Sequence, residues 1–170
     1  MKNINLGTFH VVLHRPEIPP NTGNIIRLCA VSDSVLHLVG PLSFRLDEAS
    51  VKRAGMDYRE LADVQRYRDW DDYLARTEPD VRTFALTTHG NRCYTKPEYR
   101  EGDRFLFGSE GSGLPESIRN QYSESLLRIP MIPDARSLNL ANSVSIVLYE
   151  ALRQTGFPGL SFRRNPLYRS

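Results

Sequence analysis

A chain of 170 residues with 40% hydrophobic content can bury one self-supporting core, and it leaves no room for several domains. Its formal net charge of +2 is too small to demand a polyanionic partner. No stretch approaches a membrane span, and the N-terminus has no apolar run of the secretory kind, so a cytoplasmic protein is expected.

Lysine occurs only at Lys2, Lys52 and Lys96, and arginine greatly outnumbers it. The planar guanidinium suits phosphates and bases, so this skew is compatible with RNA binding and equally with a compositional habit of the source genome. Cys29 and Cys93 form no spaced metal or redox pair. Cys29 lies in an apolar helical run, which predicts a buried, reduced thiol.

Taken in chain order, Thr8 to Leu13 reads as a first strand, followed by a helix from Thr22 to Ser32 and a second strand from Val35 to Val39. A helix is expected over Asp47 to Ala54 and another around Trp70 to Ala75. Strands follow over Val81 to Thr87, Arg104 to Phe107 and Leu126 to Ile129, with a helix from Pro115 to Tyr122 between the last two. Pro115 suits a first helical turn. The clearest helix runs from Asn139 to Gln154, where Leu140, Val144, Val147, Leu148, Ala151 and Leu152 share one face before Gly156 and Pro158 stop it. Such alternation predicts an α/β fold with a mostly parallel sheet flanked by helices. With no repeat and no Gly/Ser linker, residues 1–170 read as one domain, its core about 8–160 and a basic tail over 161–170. That tail carries Arg163, Arg164 and Arg169 with Phe162 and Tyr168, as a frayed end or an RNA-touching arm.

Several chemistries are disfavoured. The first strand runs into Arg15-Pro16-Glu17-Ile18-Pro19-Pro20-Asn21 rather than G-x-G-x-x-G, and no phosphate loop of the G-x-x-x-x-G-K-[ST] type occurs. Ser109 and Ser112 lack flanking glycines two residues away on each side, against a nucleophile elbow. His10 and His14 lie on or beside a strand with no third ligand nearby, so no metal site is expected. His37 reads as a satisfied core residue and His89 as a loop residue.

Three segments carry the remaining chemistry, each where a strand gives way to a loop or helix. They are Asn21-Thr22-Gly23-Asn24-Ile25-Ile26-Arg27, Phe107-Gly108-Ser109-Glu110-Gly111-Ser112-Gly113-Leu114-Pro115, and Ile129-Pro130-Met131 leading to Arg136-Ser137-Leu138-Asn139-Leu140. Glycines there admit close backbone approach to a ligand, though a tight structural turn explains them equally. Glu110 is a single acid rather than a paired dyad, an inventory suited to a polar, partly cationic small molecule.

Together with Pro16-Glu17-Ile18-Pro19-Pro20, Arg53-Ala54-Gly55-Met56-Asp57-Tyr58 and Tyr149-Glu150, these segments resemble the SPOUT class of S-adenosylmethionine-dependent RNA methyltransferases. Within it the likeness is to the small single-domain enzymes that methylate the ribose of the tRNA wobble nucleotide, and it covers roughly Thr8 to Leu160. The resemblance implies a C-terminal deep trefoil knot, a homodimer with shared sites, and the anticodon stem-loop of tRNA as partner. It implies that Leu86, Gly108, Ile129 and Ser137 line the donor pocket with Met131 and Leu138 close by. It also implies catalytic or architectural roles for Asn21, Arg27, Glu110, Ser137 and Asn139. A guanidinium is a poor base near pH 7, so Arg27 is expected to anchor an RNA phosphate and polarise the 2′-hydroxyl, and otherwise to be a surface salt-bridging arginine. Ser137 and Asn139 could equally cap the long helix, and Tyr149 could be a core residue or a dimer contact. The rival functional readings are methylation of another RNA, such as ribosomal RNA, and a non-catalytic RNA-binding protein on the same scaffold.

Overall fold

The computed structural model describes residues 8–46 and 62–163. The helix expected over Asp47 to Ala54, the Arg53–Tyr58 segment and the tail beyond Arg163 lie outside the described residues.

Among the described residues, seven strands form one sheet: β1 (His10–His14), β2 (Val35–Val39), β3 (Asp63–Tyr67), β4 (Thr83–Leu86), β5 (Arg92–Cys93), β6 (Arg104–Phe107) and β7 (Leu126–Arg128). Their order is β3-β2-β1-β6-β4-β7-β5, and every neighbouring pair is parallel. A parallel sheet needs cover on both faces, and the alternation of its strands supplies two cores. Val11 and Leu13 of β1, Leu36 and Leu38 of β2, and Phe105 and Phe107 of β6 point to one side. There they meet Ile25, Ile26 and Cys29 of helix α1 (Pro19–Val31) and Val144, Val147 and Leu148 of a long C-terminal helix. Val12, Val39, Ala85 and Leu106 point to the other side. They meet Tyr73 of α2 (Trp70–Ala75) and Ile118 of α3 (Glu116–Gln121). The long helix is α4 (Leu140–Gln154), and both Leu140 and Val144 belong to its buried face.

The strand ends shift by one or two residues from the sequence expectation, and two strands go beyond it. β3 buries only Tyr67 fully, and β5 is two residues long. Both sit at the sheet edges, where hydrogen bonds rather than apolar alternation hold them. Helix α1 begins at Pro19, earlier than expected, because Pro19 and Pro20 occupy first-turn positions whose N–H groups a helix does not use.

β7 lies between β4 and β5, although β4 and β5 follow one another in the chain. The connection over residues 87–91 therefore passes across β7. Thr87 N–H donates to the Leu127 carbonyl at 3.0 Å, and a Cβ added to Gly90 would stand 2.7 Å from the Leu127 carbonyl carbon. Only a glycine permits that crossing.

One polar row is buried under α2. Tyr67 OH donates to Gln65 Oε1 at 2.9 Å, which leaves the phenol oxygen to accept from His37 Nδ1 at 2.9 Å. His37 Nε2 is then the acceptor for His10 Nδ1, 2.8 Å away. Arg104 is buried beside them, its Nη1 donating to Tyr73 OH at 2.9 Å. Burial first, then the Arg104 charge, lowers His10 to about 4 and His37 to about 3, so both rings stay neutral. His37 is thus the satisfied core residue expected of it.

Candidate active site

α1 leaves β1 toward one face of the sheet, and α3 follows the neighbouring β6 toward the other. Connections that diverge from adjacent parallel strands open a crevice beyond their C-terminal ends. A cavity of about 580 Å³ lies there, within the roughly 300–1,000 Å³ of small-molecule sites. Four strand ends build it: Ile18 and Asn21 after β1, residues 108–114 after β6, Leu86 to His89 after β4, and Arg128, Ile129 and Met131 at β7. The start of α4 and the segment before it close the remaining side, with Arg136, Ser137, Leu138 and Asn139.

Every expected donor-pocket residue lines this cavity: Leu86, Gly108, Ile129, Met131, Ser137 and Leu138. Asn21, Glu110 and Asn139 line it as well, brought together from three distant parts of the chain. Arg27 does not. It is exposed on α1, outside the cavity wall.

A hydrogen-bonded relay joins the polar members. Glu110 Oε2 accepts from Glu17 N–H at 2.7 Å, and Oε1 accepts from Ile18 N–H and Asn21 Nδ2, both at 3.1 Å. The carboxylate thus sits over the N-terminus of α1, where the unpaired N–H groups and helix dipole favour a negative charge. Asn21 Oδ1 in turn accepts from Asn139 Nδ2 at 3.0 Å. Asn139 Oδ1 accepts from Asn142 N–H at 3.2 Å, which caps α4. With three donors on its oxygens, Glu110 ties the loop after β6 to the start of α1.

The loop after β6 depends on one glycine in particular. A Cβ on Gly108 would fall 2.0 Å from the Gly113 carbonyl carbon and 2.2 Å from Leu114 N. The loop folds back on itself there through Gly113 N–H to Ser109 O at 2.9 Å, with the Ser109 and Ser112 hydroxyls 2.8 Å apart.

Two contributions escape a reading of the sequence alone. Glu17 reciprocates Glu110 by accepting from Gly111 N–H at 3.1 Å, so two carboxylates lock the two loops together. Arg128 lines the cavity and donates from Nη1 to Thr88 O at 3.0 Å. Nothing local marks either role, since each arises only where distant loops meet. Among the described residues no group of three or more His, Cys, Asp or Glu is placed to hold a metal ion.

The switch-point cavity thus mixes apolar side chains with amides, hydroxyls, one carboxylate and two arginines, and a glycine loop and a capped helix start form part of its wall. The model of the SpoU rRNA Methylase family matches residues 8–149, and the chain belongs to that family. At the level of individual proteins, it is 51% identical over 153 residues to the tRNA (cytidine(34)-2'-O)-methyltransferase of Burkholderia cenocepacia, covering 89% of this chain and 98% of that one. It is similar to a structure that gives insight into the 2-OH methylation of C/U34 on tRNA, with TM-score 0.85, 39% identity, and 89% and 98% of the two chains covered. It is also similar to the AdoMet-bound rRNA methyltransferase of Sinorhizobium meliloti, with TM-score 0.77 and 30% identity. There it covers 86% of this chain and 56% of the other.

Proposed function

We infer that the protein is an S-adenosylmethionine-dependent RNA methyltransferase that transfers a methyl group to the ribose 2′-OH of the wobble nucleotide of tRNA. The observation that carries this reading is the joining of all three motif segments at one cavity, in a chain half identical to a wobble-ribose methyltransferase over nearly its whole length. That likeness favours tRNA over ribosomal RNA as substrate.

The cavity suits the donor. Its volume accommodates an adenosyl sulfonium, and at Gly108 the loop leaves no room even for a methyl side chain. Leu86, Ile129, Met131 and Leu138 offer apolar surface to the adenine, while backbone groups of the same loops read its edge. When bound, S-adenosylmethionine supplies a methyl group on a cationic sulfur. The chain's residues orient and align. Glu110, Asn21 and Asn139 hold the β1 and β6 loops and the α4 N-terminus in fixed relation, which supports in-line alignment of the attacking oxygen. Arg27 anchors the RNA phosphate and polarises the 2′-hydroxyl, whose proton leaves to water or a phosphate oxygen.

The position of Arg27 outside its own cavity supports a homodimer in which a second copy completes each site. Ile146 and Tyr149 on α4 and Val31 on α1 are large apolar side chains left 36%, 43% and 45% exposed, on two helices that pack together. The crossing of residues 87–91 over β7 supports the knotted chain path that the family resemblance implies. The free thiols Cys29 and Cys93 fit a reducing cytoplasm, and no helix among the described residues is long and apolar enough to cross a membrane.

The deciding experiment is methyl transfer from radiolabelled donor to bulk tRNA, followed by digestion. Label on the wobble ribose is expected. Label elsewhere on tRNA, or only on ribosomal RNA, would overturn the substrate assignment.

A further inference from the structure

A second hollow, of about 560 Å³, opens around the N-terminal halves of β4 and the β5 edge. It shares β4 with the donor cavity but takes the opposite end of that strand: Thr83 and Phe84 line the hollow, whereas Leu86 and Thr87 line the cavity. At about 3.3 Å per residue, Thr83 and Thr87 stand about 13 Å apart along the sheet.

Its wall carries Arg82, Arg92, Lys96 and Arg100 against one carboxylate, Glu98. Arg82 is already committed. Its Nε lies 3.0 Å from Asp103 Oδ1, its Nη2 donates to Glu98 O at 2.9 Å, and its guanidinium rests over the Phe84 ring. The other three cations are exposed, and none of their side chains enters an ion pair among the described residues. They are nevertheless mounted on fixed backbone. Arg92 pairs with Leu127 in the sheet, Lys96 N–H donates to Cys93 O, and Arg100 N–H donates to the buried Asp103 carboxylate at 2.8 Å. Tyr99 between them is buried and donates its N–H to Gln154 Oε1 on α4.

We propose that this hollow is a phosphodiester-binding site, which holds the RNA backbone away from the nucleotide being methylated. The proposal rests on the tRNA reading above. Three exposed cations on a rigid frame, against the one carboxylate of Glu98 in the wall, match a row of phosphates, which need charge and little else. An acidic protein partner would want an apolar anchor as well, and the hollow presents none, since Phe84 and Pro97 are both buried. A stem whose loop enters the donor cavity reaches the hollow with phosphates of its helical part.

The test is tRNA binding by the variant carrying Arg92→Gln, Lys96→Gln and Arg100→Gln, measured by fluorescence anisotropy with an unmodified tRNA transcript over a salt series. A control variant with Arg66→Gln, Arg68→Gln and Arg153→Gln removes the same charge elsewhere. The groove variant should bind at least tenfold more weakly near about 0.15 M salt. Its log–log salt slope should be shallower by about 2 to 3, close to one for each phosphate that is no longer neutralised. S-adenosylmethionine affinity should be unchanged, and kcat at saturating tRNA should stay within about twofold of wild type. Affinity and slope equal to the control variant's would overturn the proposal. Because binding is read directly, a wild-type protein that binds tRNA without labelling the wobble ribose would sink the activity assignment and still leave the groove to be judged.

Discussion

Asn139 Nδ2 donates to Asn21 Oδ1 at 3.0 Å across a separation of 118 residues, and the same Asn139 caps α4 with its other side-chain atom. One carboxamide therefore joins the start of the C-terminal helix to the first turn of α1. Substitution by aspartate separates these duties, because a carboxylate accepts from Asn142 N–H as well as an amide does but cannot donate to Asn21. Asn139→Asp should keep the α4 cap yet lose about 1 to 2 kcal/mol in urea unfolding, because its carboxylate faces the buried Asn21 Oδ1 acceptor, while kcat falls at least tenfold. Asn139→Ala should lose both, at a cost of about 1 to 2 kcal/mol in urea unfolding. Wild-type kcat in Asn139→Asp would argue that the link to Asn21 is idle.

Gly108→Ala should abolish donor binding. The new methyl would stand 2.0 Å from the Gly113 carbonyl carbon, so the loop carrying Glu110 must move. Titration calorimetry with S-adenosylmethionine reads this directly, and wild-type affinity would mean that the loop yields without cost.

Arg27→Ala should eliminate methyl transfer and leave donor affinity within about twofold, since Arg27 lies outside the cavity wall. A large loss of donor affinity would contradict that division of labour.

Mixing the two inactive variants tests the shared site. If a second copy supplies Arg27, heterodimers of Arg27→Ala and Gly108→Ala each contain one intact site, and an equal mixture should recover about a quarter of wild-type activity. If Arg27 serves the cavity of its own chain, the mixture stays inactive after subunits have exchanged.

Acid should destabilise the fold through its buried imidazoles before carboxylates matter. Burial and the Arg104 charge hold His37 at about 3 and His10 at about 4, and burial and Arg15 hold His14 at about 4. In the unfolded chain each takes its proton near pH 6.5, so between about 6.5 and 4 the unfolded state binds more protons. Stability is therefore complete above about pH 6.5 and declines as pH falls toward the folded values. From pH 7 to 5.5 the fully buried His37 alone accounts for about 1 kcal/mol. Urea midpoints across this range should fall for wild type and fall less steeply for His37→Gln, in which His10 and His14 remain; a flat wild-type profile would refute the account.

The sheet's inner strands were legible because Val35–Val39 and Arg104–Phe107 are runs of buried residues in sequence as in space. Asp63–Tyr67 was not, because an edge strand that buries one residue carries no apolar period. The helices with strong faces read well, and α2 matched over Trp70–Ala75. The motif segments named the residues of the cavity, but not how they meet. The reciprocal locking of Glu17 with Gly111 and Glu110 with Ile18 depends on β1 and β6 being neighbours, and strand order is a property of the whole sheet. The buried Arg104 row was invisible for the same reason: His10, His37 and Tyr67 become one chain of hydrogen bonds only after β1, β2 and β3 align in register.

The position of β7 between β4 and β5 also bears on how the chain leaves the ribosome. Among the described residues, 92–93 have no sheet partner except β7, which is synthesised after them. The pairing of this edge can therefore be completed only after Leu126–Arg128 has been made. Assembly here runs against the order of translation, and a nascent chain stalled before Leu126 would present an unfinished sheet edge to chaperones.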